Sequence, residues 1–228
     1  LVLLLAACTG CSGAGFERGP TEAEQLATLS MQVTLESVHR MGPHVFTAAT
    51  TTTELGATDV EHMELLWGDW DNFRDSRWRN DASPKRVILV KGVGFTGTKG
   101  KPHKRWADAQ AHRTQLSSTW NRFEDALSPF LASMELVPLD DDLVVEGRPA
   151  ASYTVQLAEA PVAAGKWEPT SLTGTVVLDV STAVRLSADV TGTLRRPDKD
   201  QERVVHLALS RSDIGVVPEI KKPARVAK

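Results

Sequence analysis

The chain has 228 residues, 41% of them hydrophobic and 24% charged, with a formal net charge of -3. That length and hydrophobicity exclude a disordered polymer and suit one folded domain of about 100–200 residues after a short processed segment. Its only two cysteines, Cys8 and Cys11, fall within the first dozen residues, which excludes a disulfide across the fold.

Residues 1–7, Leu1-Val2-Leu3-Leu4-Leu5-Ala6-Ala7, are apolar and uncharged, but far short of the roughly 20 residues that span a bilayer. They read as the remnant of a signal peptide's hydrophobic region. Leu5-Ala6-Ala7-Cys8 resembles the lipobox of bacterial lipoproteins, which implies a diacylglycerol on Cys8; Cys11, preceded by Gly10, is the alternative acceptor. Two acyl chains are enough for stable membrane attachment. Residues 8–20, with Gly10, Gly13, Gly15 and Gly19, read as a flexible tether between lipid and domain.

A single domain is expected over residues 21–217. Thr21-Glu22-Ala23-Glu24 has the spacing of a capping box, and Leu26, Leu29, Val33 and Val38 continue one helical face to the Gly42-Pro43 break. The period then changes to two. Thr47–Thr53, Val60–Trp70, Phe73–Arg79 and Arg86–Val90 read as consecutive strands, and their short connections make them antiparallel neighbours. Within the second, Met63, Leu65 and Trp67 share a face, and Gly68 marks either a bulge or a strand covered on both sides.

A central helical stripe follows: Trp106, Ala109, Leu116, Trp120, Phe123, Leu127, Phe130 and Met134 recur at intervals of three, four or their sum. Ser128-Pro129 suggests that one helix ends there and a second begins. The last third returns to strands at Leu143–Glu146, Ser152–Leu157, Thr175–Asp179, Val184–Leu194 and Val204–Ser210. Val184, Leu186, Ala188, Val190 and Leu194 alternate with Arg185, Ser187, Asp189, Thr191 and Thr193, as in a sheet with one wet face. Residues 218–228, with Lys221-Lys222-Pro223, read as an extended basic tail leaving the domain.

Charge is uneven along the chain. Asp71–Arg113 holds eleven Lys and Arg against four Asp and Glu, whereas Thr114–Glu168 holds three against nine. Arg74, Arg77, Arg79, Lys99, Lys101, Lys104 and Arg105 are therefore candidates for a basic patch. Interleaved with Trp78, Phe95 and Trp106, it would meet anionic lipid headgroups or lipopolysaccharide; a solvated face balanced by the acidic stretch is the plainer alternative. Nucleic acid is not an expected partner, because the chain is exported.

No catalytic constellation assembles. Gly92-Val93-Gly94-Phe95-Thr96-Gly97 has the spelling of a dinucleotide loop, but Lys99-Gly100-Lys101-Pro102 cannot open the required helix, so a hairpin or loop is expected. His62-Met63-Glu64 lacks the later cysteine pair of a zinc deaminase. The remaining histidines have no metal-ligand spacing, and Asp140-Asp141-Asp142 lacks the alternation of a calcium loop and reads as an exposed turn. Asp69 and Asp71 would share a strand face as paired carboxylates, though beside a hairpin such residues are usually turn formers. Neither cofactor nor metal is expected.

The order of elements resembles the lipoprotein-carrier superfamily that includes LolA, LolB and the mycobacterial LppX-type proteins. The resemblance is carried by the leading helix over Thr21–Arg40, then Leu65-Leu66-Trp67, Phe73-Arg74 and Arg77-Trp78-Arg79, then the central stripe. It ends in Gly174-Thr175-Val176-Val177-Leu178-Asp179 followed by Thr182-Ala183-Val184-Arg185-Leu186. Uncharacterised lipoproteins of myxobacterial type are similar too. The resemblance implies an α+β fold: a strongly curved antiparallel sheet, a half-barrel, with helices covering its concave face. It also implies an apolar cavity for a lipid or lipoprotein acyl chain, lined by Leu65, Trp67, Trp120, Phe123, Leu127 and Phe130. Thr9 stands after Cys8 where Asp often signals inner-membrane retention, which favours the outer membrane. The alternative is a structural or partner-binding periplasmic lipoprotein with a filled core and no ligand.

Overall fold

The computed structural model describes residues 21–30, 35–106 and 108–227; the side chains of residues 29, 30, 35, 36 and 117–125 fall outside that description. Cys8, Cys11 and the tether of residues 8–20 also lie outside it. Helix α1 spans Glu22–Ser30 and α2 spans Leu35–Met41. The capping box forms as the spacing predicts: Thr21 N–H donates to Glu24 Oε2 at 2.5 Å, and Glu24 N–H donates to Thr21 Oγ1 at 3.2 Å.

Six strands follow: β1 His44–Glu54, β2 Ala57–Asp69, β3 Asn72–Arg79, β4 Lys85–Val90, β5 Val93–Thr98 and β6 Lys104–Trp106. Helix α3, Ala109–Glu124, leads into a 3-10 segment, Asp125–Ser133. Five more strands complete the sheet: β7 Met134–Val145, β8 Arg148–Leu157, β9 Glu168–Asp179, β10 Arg185–Arg196 and β11 Gln201–Ser212. They form one eleven-stranded sheet in the order β6-β5-β4-β3-β2-β1-β11-β10-β9-β8-β7, antiparallel throughout. Each half is a meander of consecutive strands, and β1 meets β11 where the halves join.

The expected half-barrel does not form. The sheet is open, neither closed nor strongly curled, with β6 and β7 as its two edges and only a few helices beside it. Register supplies a physical reason at the seam of the two halves, because a strand bends sharply where a bulge interrupts its pairing. Here β1 pairs without a shift from His44↔Trp67 to Glu54↔Ala57 on one side and from Val45↔Ser212 to Glu54↔Arg203 on the other. The shifts sit towards strand ends, at Trp67/Asp69, Arg185/Ser187 and Thr193/Leu194, and along the edge strand β7. The first makes Gly68 the bulged residue.

Directly paired residues share a face, so the buried side can be followed across the sheet. Phe73, Trp67 and His44 form one row, Leu65 and Phe46 another, and Ala188, Val176 and Tyr153 continue the same face on the far half. Helices cover this face. Leu26, Val38, Met41, Leu116, Leu127 and Phe130 come down on it in one continuous core, and the Tyr153 hydroxyl donates to the Ala23 carbonyl of α1 at 3.1 Å. Phe130 lies on bare backbone: a Cβ at Gly192 would stand 2.4 Å from its ring, so only glycine lets the 3-10 segment approach. No second helix begins at Pro129; instead the 3-10 segment runs through it to Ser133. Trp106 and Met134, the ends of the expected stripe, lie on β6 and β7.

Asp140, Asp141 and Asp142 lie within β7, not in a turn. Pro138, the three carboxylates and two register shifts roughen this edge, a pattern that discourages edge-to-edge pairing with another sheet. Among the described residues no helix is long and apolar enough to cross a membrane.

One buried titratable group gives a pH test. The fully buried His44 ring has its Nδ1 2.9 Å from the Gly42 carbonyl, and burial followed by the nearby Arg211 charge pushes its pKa down to about 4. Between the ordinary value of 6.5 and about 4, the unfolded chain binds a proton that the folded chain refuses. The stabilisation is therefore complete above pH 6.5 and fades as pH falls, by about 3 kcal/mol in all. Urea unfolding at pH 7, 5.5 and 4 should show this loss in the wild type, and His44→Gln should remove most of that component. Identical pH slopes for the two proteins would refute the assignment.

Candidate interaction surface: a basic groove beneath the C-terminal segment

Alternation along β3 divides the predicted basic patch between two faces. Arg77 and Arg79 stand opposite Met63 and Glu61 on the helix side, whereas Arg74 stands opposite Leu66 on the outer side. On the helix side the two arginines are matched locally. Arg77 Nε donates to Asp75 Oδ1 at 3.0 Å, and Arg79 pairs with Asp59. Burial raises the Asp75 pKa, and Arg77 opposes that shift. Lys104 also lies on the helix side, opposite Thr96, and the Lys99 amide closes a turn onto the Pro84 carbonyl.

The outer side is different. Arg74 and Ile88 are paired residues, and so are Ser76 and Arg86, which places Arg74 and Arg86 on one face of adjacent strands. Glu64 accepts from Arg74 at 2.5 Å. Burial, then the charge of Arg74, lower the Arg86 pKa, with Glu64 opposing. The Nε atoms of both arginines are buried without a hydrogen-bond partner. Arg105 is on this face, opposite Phe95.

The C-terminal segment covers this region. After β11 the Gly215 amide donates to the Pro43 carbonyl at 2.8 Å, and Ile220 packs on a second small apolar cluster of Ile88, Val90 and Phe95. His103 and Val226 form a parallel bridge, with His103 N–H donating to Arg225 O at 2.9 Å and Ala227 N–H donating to His103 O at 2.8 Å. Between segment and sheet runs a groove of about 630 Å³. Its walls carry Arg74, Arg86, Lys101, Lys221, Lys222 and Arg225; Glu219 is the only carboxylate among its lining residues and pairs with Lys221 at 2.9 Å.

Of the seven basic residues picked from sequence, Arg74 and Lys101 meet in this groove. Arg86, Lys221, Lys222 and Arg225 were not anticipated there. Alternation between Arg86 and Ile88 was a usable signal for the first, but nothing local in Lys221-Lys222-Pro223 tells that the segment turns back onto the sheet.

The cavity candidates sit elsewhere. Leu65, Trp67, Leu127 and Phe130 are at most 2% exposed and belong to the continuous core. Trp67 meets Trp70 edge-on at 5.0 Å and stacks on Phe73 at 6.2 Å. The basic groove touches none of the four, nor do three further surface depressions beside β3, β4 and the outer faces of β1 and β11. Trp120 and Phe123 lie on α3, with their side chains outside the described residues.

The suspected acid-base residues have structural duties. Asp69 Oδ1 accepts from the Asp71 amide at 2.6 Å and from Asn72 Nδ2 at 3.0 Å, while Asp71 pairs with Arg113. His62 stacks on Trp78 at 4.9 Å, and Glu64 holds Arg74. Gly92–Gly97 forms the β4–β5 hairpin, with the His112 and His103 rings against Gly94 and Gly97. Among the described residues no three His, Cys, Asp or Glu side chains are placed to hold a metal ion, and no catalytic arrangement converges.

No family model and no curated protein matches the chain. Several solved structures are similar to it, all at low identity. MucB in the Pseudomonas aeruginosa MucA/MucB complex has 15% identity and a TM-score of 0.31, over 87% of this chain and 57% of that one. A LolA superfamily protein from Nitrosomonas europaea has 8% identity and a TM-score of 0.28, over 86% and 96%. A putative outer membrane lipoprotein-sorting protein domain from Vibrio parahaemolyticus has 10% and 0.25, over 82% and 94%. The chain spans 57% to 62% of the MucB chains it matches. Likeness at this level says nothing about function.

Proposed function

We propose that this chain is a membrane-tethered, non-catalytic protein of the bacterial cell envelope that binds a partner through its surface and keeps a filled interior. The observation that carries the reading is the packing of Leu65, Trp67, Leu127 and Phe130, each nearly without exposure where an acyl-chain carrier would need space. Their burial supports a filled interior, because large side chains packed at interior density occupy the space a lipid tail would need. The tether rests on the lipobox at Cys8, and Thr9 in place of Asp supports the outer membrane.

The test is native mass spectrometry, with organic extraction, on the full chain carrying Cys8→Ser and Cys11→Ser and purified without detergent. The expected result is the mass of the polypeptide alone. A stoichiometric phospholipid or acyl-chain adduct that persists when Lys221, Lys222 and Arg225 are replaced by Gln would overturn the filled-core reading and restore the carrier.

A further inference from the structure

Six cationic side chains line the groove beneath the C-terminal segment, against Glu219 within it and Glu64 behind Arg74. Each carboxylate already serves one partner: Glu219 holds Lys221, and Glu64 holds Arg74. Arg86 is left beside Arg74 in a half-buried setting, where two like charges repel more strongly than in open water. Both guanidinium groups also keep a buried Nε–H with no acceptor. Buried donors without acceptors are uncommon in folded proteins and call for an explanation. A guanidinium presents its donors as a planar fork that matches the oxygens of phosphate. The volume of about 630 Å³ falls in the range of small-ligand sites.

We propose that this groove binds a phosphate-bearing anion, gripped between Arg74 and Arg86 of the sheet and Lys221, Lys222 and Arg225 of the C-terminal segment. The anion accepts from the groove-facing N–H groups of the two guanidinium forks and adds negative charge beside Arg86, which now shares Glu64 with Arg74. It also joins the segment to the sheet, so occupancy fastens the last dozen residues onto β4 and β5. The proposal rests on the surface-binding reading and gives that surface its ligand class. Phosphate of this kind is offered by soluble phosphates and by the headgroups of anionic phospholipids, and the two sources are separable.

The experiment uses the full chain with Cys8→Ser and Cys11→Ser, so that no anchor of its own reaches a vesicle. Sodium pyrophosphate is titrated calorimetrically at about 50 mM salt, a concentration at which charge contacts are only partly screened. Cosedimentation is measured with phosphatidylglycerol vesicles and with phosphatidylcholine vesicles. The tail triple variant Lys221→Gln/Lys222→Gln/Arg225→Gln is compared with Lys166→Gln/Arg195→Gln/Lys199→Gln, which removes the same charge outside the groove. Saturable binding to either phosphate probe is expected, at least tenfold weaker in the tail triple variant and within twofold of the parent in the control. Arg86→Gln, with folding checked by circular dichroism, should weaken binding likewise. Pyrophosphate binding without vesicle binding identifies a soluble phosphate; phosphatidylglycerol binding that pyrophosphate displaces identifies a headgroup. No saturable binding to either probe, or equal losses in the two triple variants, would overturn the site. Failure of the filled-core reading appears separately, as a lipid adduct in the native mass spectrum that persists in the tail triple variant.

Discussion

Asp179→Ala should lower unfolding stability by about 3–5 kcal/mol, the usual consequence of removing one member of a buried ion pair. The Asp179 side chain is 1% exposed and pairs with Arg148. It also accepts from Ser181 Oγ at 2.6 Å, from the Thr182 amide at 2.8 Å and from Thr182 Oγ1 at 2.8 Å. Burial alone would raise its pKa, yet the bonds from Arg148, Ser181 and Thr182 outweigh that and hold the carboxylate below its ordinary value. The same residue closes the turn between β9 and β10, because its amide donates to the Val184 carbonyl and its carbonyl accepts from the Ala183 amide. Loss of the side chain thus leaves the Ser181 and Thr182 donors without their acceptor and frees a turn together, while Arg148, 27% exposed, keeps only Ser181 Oγ at 2.9 Å. Urea unfolding followed by circular dichroism reads the effect, and Asp179→Asn should retain part of the stability. A change below about 1 kcal/mol for the alanine variant would show that the pair only offsets its own desolvation.

Gly174→Ala should be comparably severe, on the order of 3–5 kcal/mol when a forbidden backbone angle and an overpacked contact add. Gly174 has φ +148, and a Cβ there would meet the Asp189 carbonyl oxygen at 2.1 Å and the Val190 Cα at 2.7 Å. Those atoms are backbone of the neighbouring strand, so no rotamer change relieves the clash. Gly174 pairs with Val155 on one side and Val190 on the other, which means that the strain reaches three strands of the sheet. Thermal unfolding of the variant should show a lowered midpoint. An unchanged midpoint would mean that β9 and β10 can separate locally without cost, contrary to their unbroken pairing from Ser187↔Val177 to Thr193↔Ser171.

Much of the β structure was legible because alternation survives wherever one face is wet. Val184 to Leu194 is the clearest case: Leu186, Ala188, Val190 and Leu194 are buried while Asp189 is exposed. β5 and β6 were missed because Gly94 and Gly97 erase alternation where the His112 and His103 rings need room. The central stripe ran too long because Trp106 and Met134 keep helical spacing by chance while belonging to strands. The shape of the sheet could not be read locally at all, since curl depends on where bulges fall between partners far apart in sequence. The basic groove failed to appear for the same reason. Its walls join Arg74 to Arg225, and only the return of the C-terminal segment brings them together.

The place where β1 meets β11 also governs how the chain can assemble. Thr50 pairs with Leu207 and Val45 with Ser212, contacts between nearly opposite ends of the domain, and pairings of such long range form slowly because a large loop must close first. Until β11 emerges, β1 is an unpaired edge of eleven residues, and exposed edges of that kind recruit other chains. Folding before the last strand is available would leave the two meanders unjoined. The finished domain therefore closes only once the whole chain is available, and until then β1 is the surface most open to other chains.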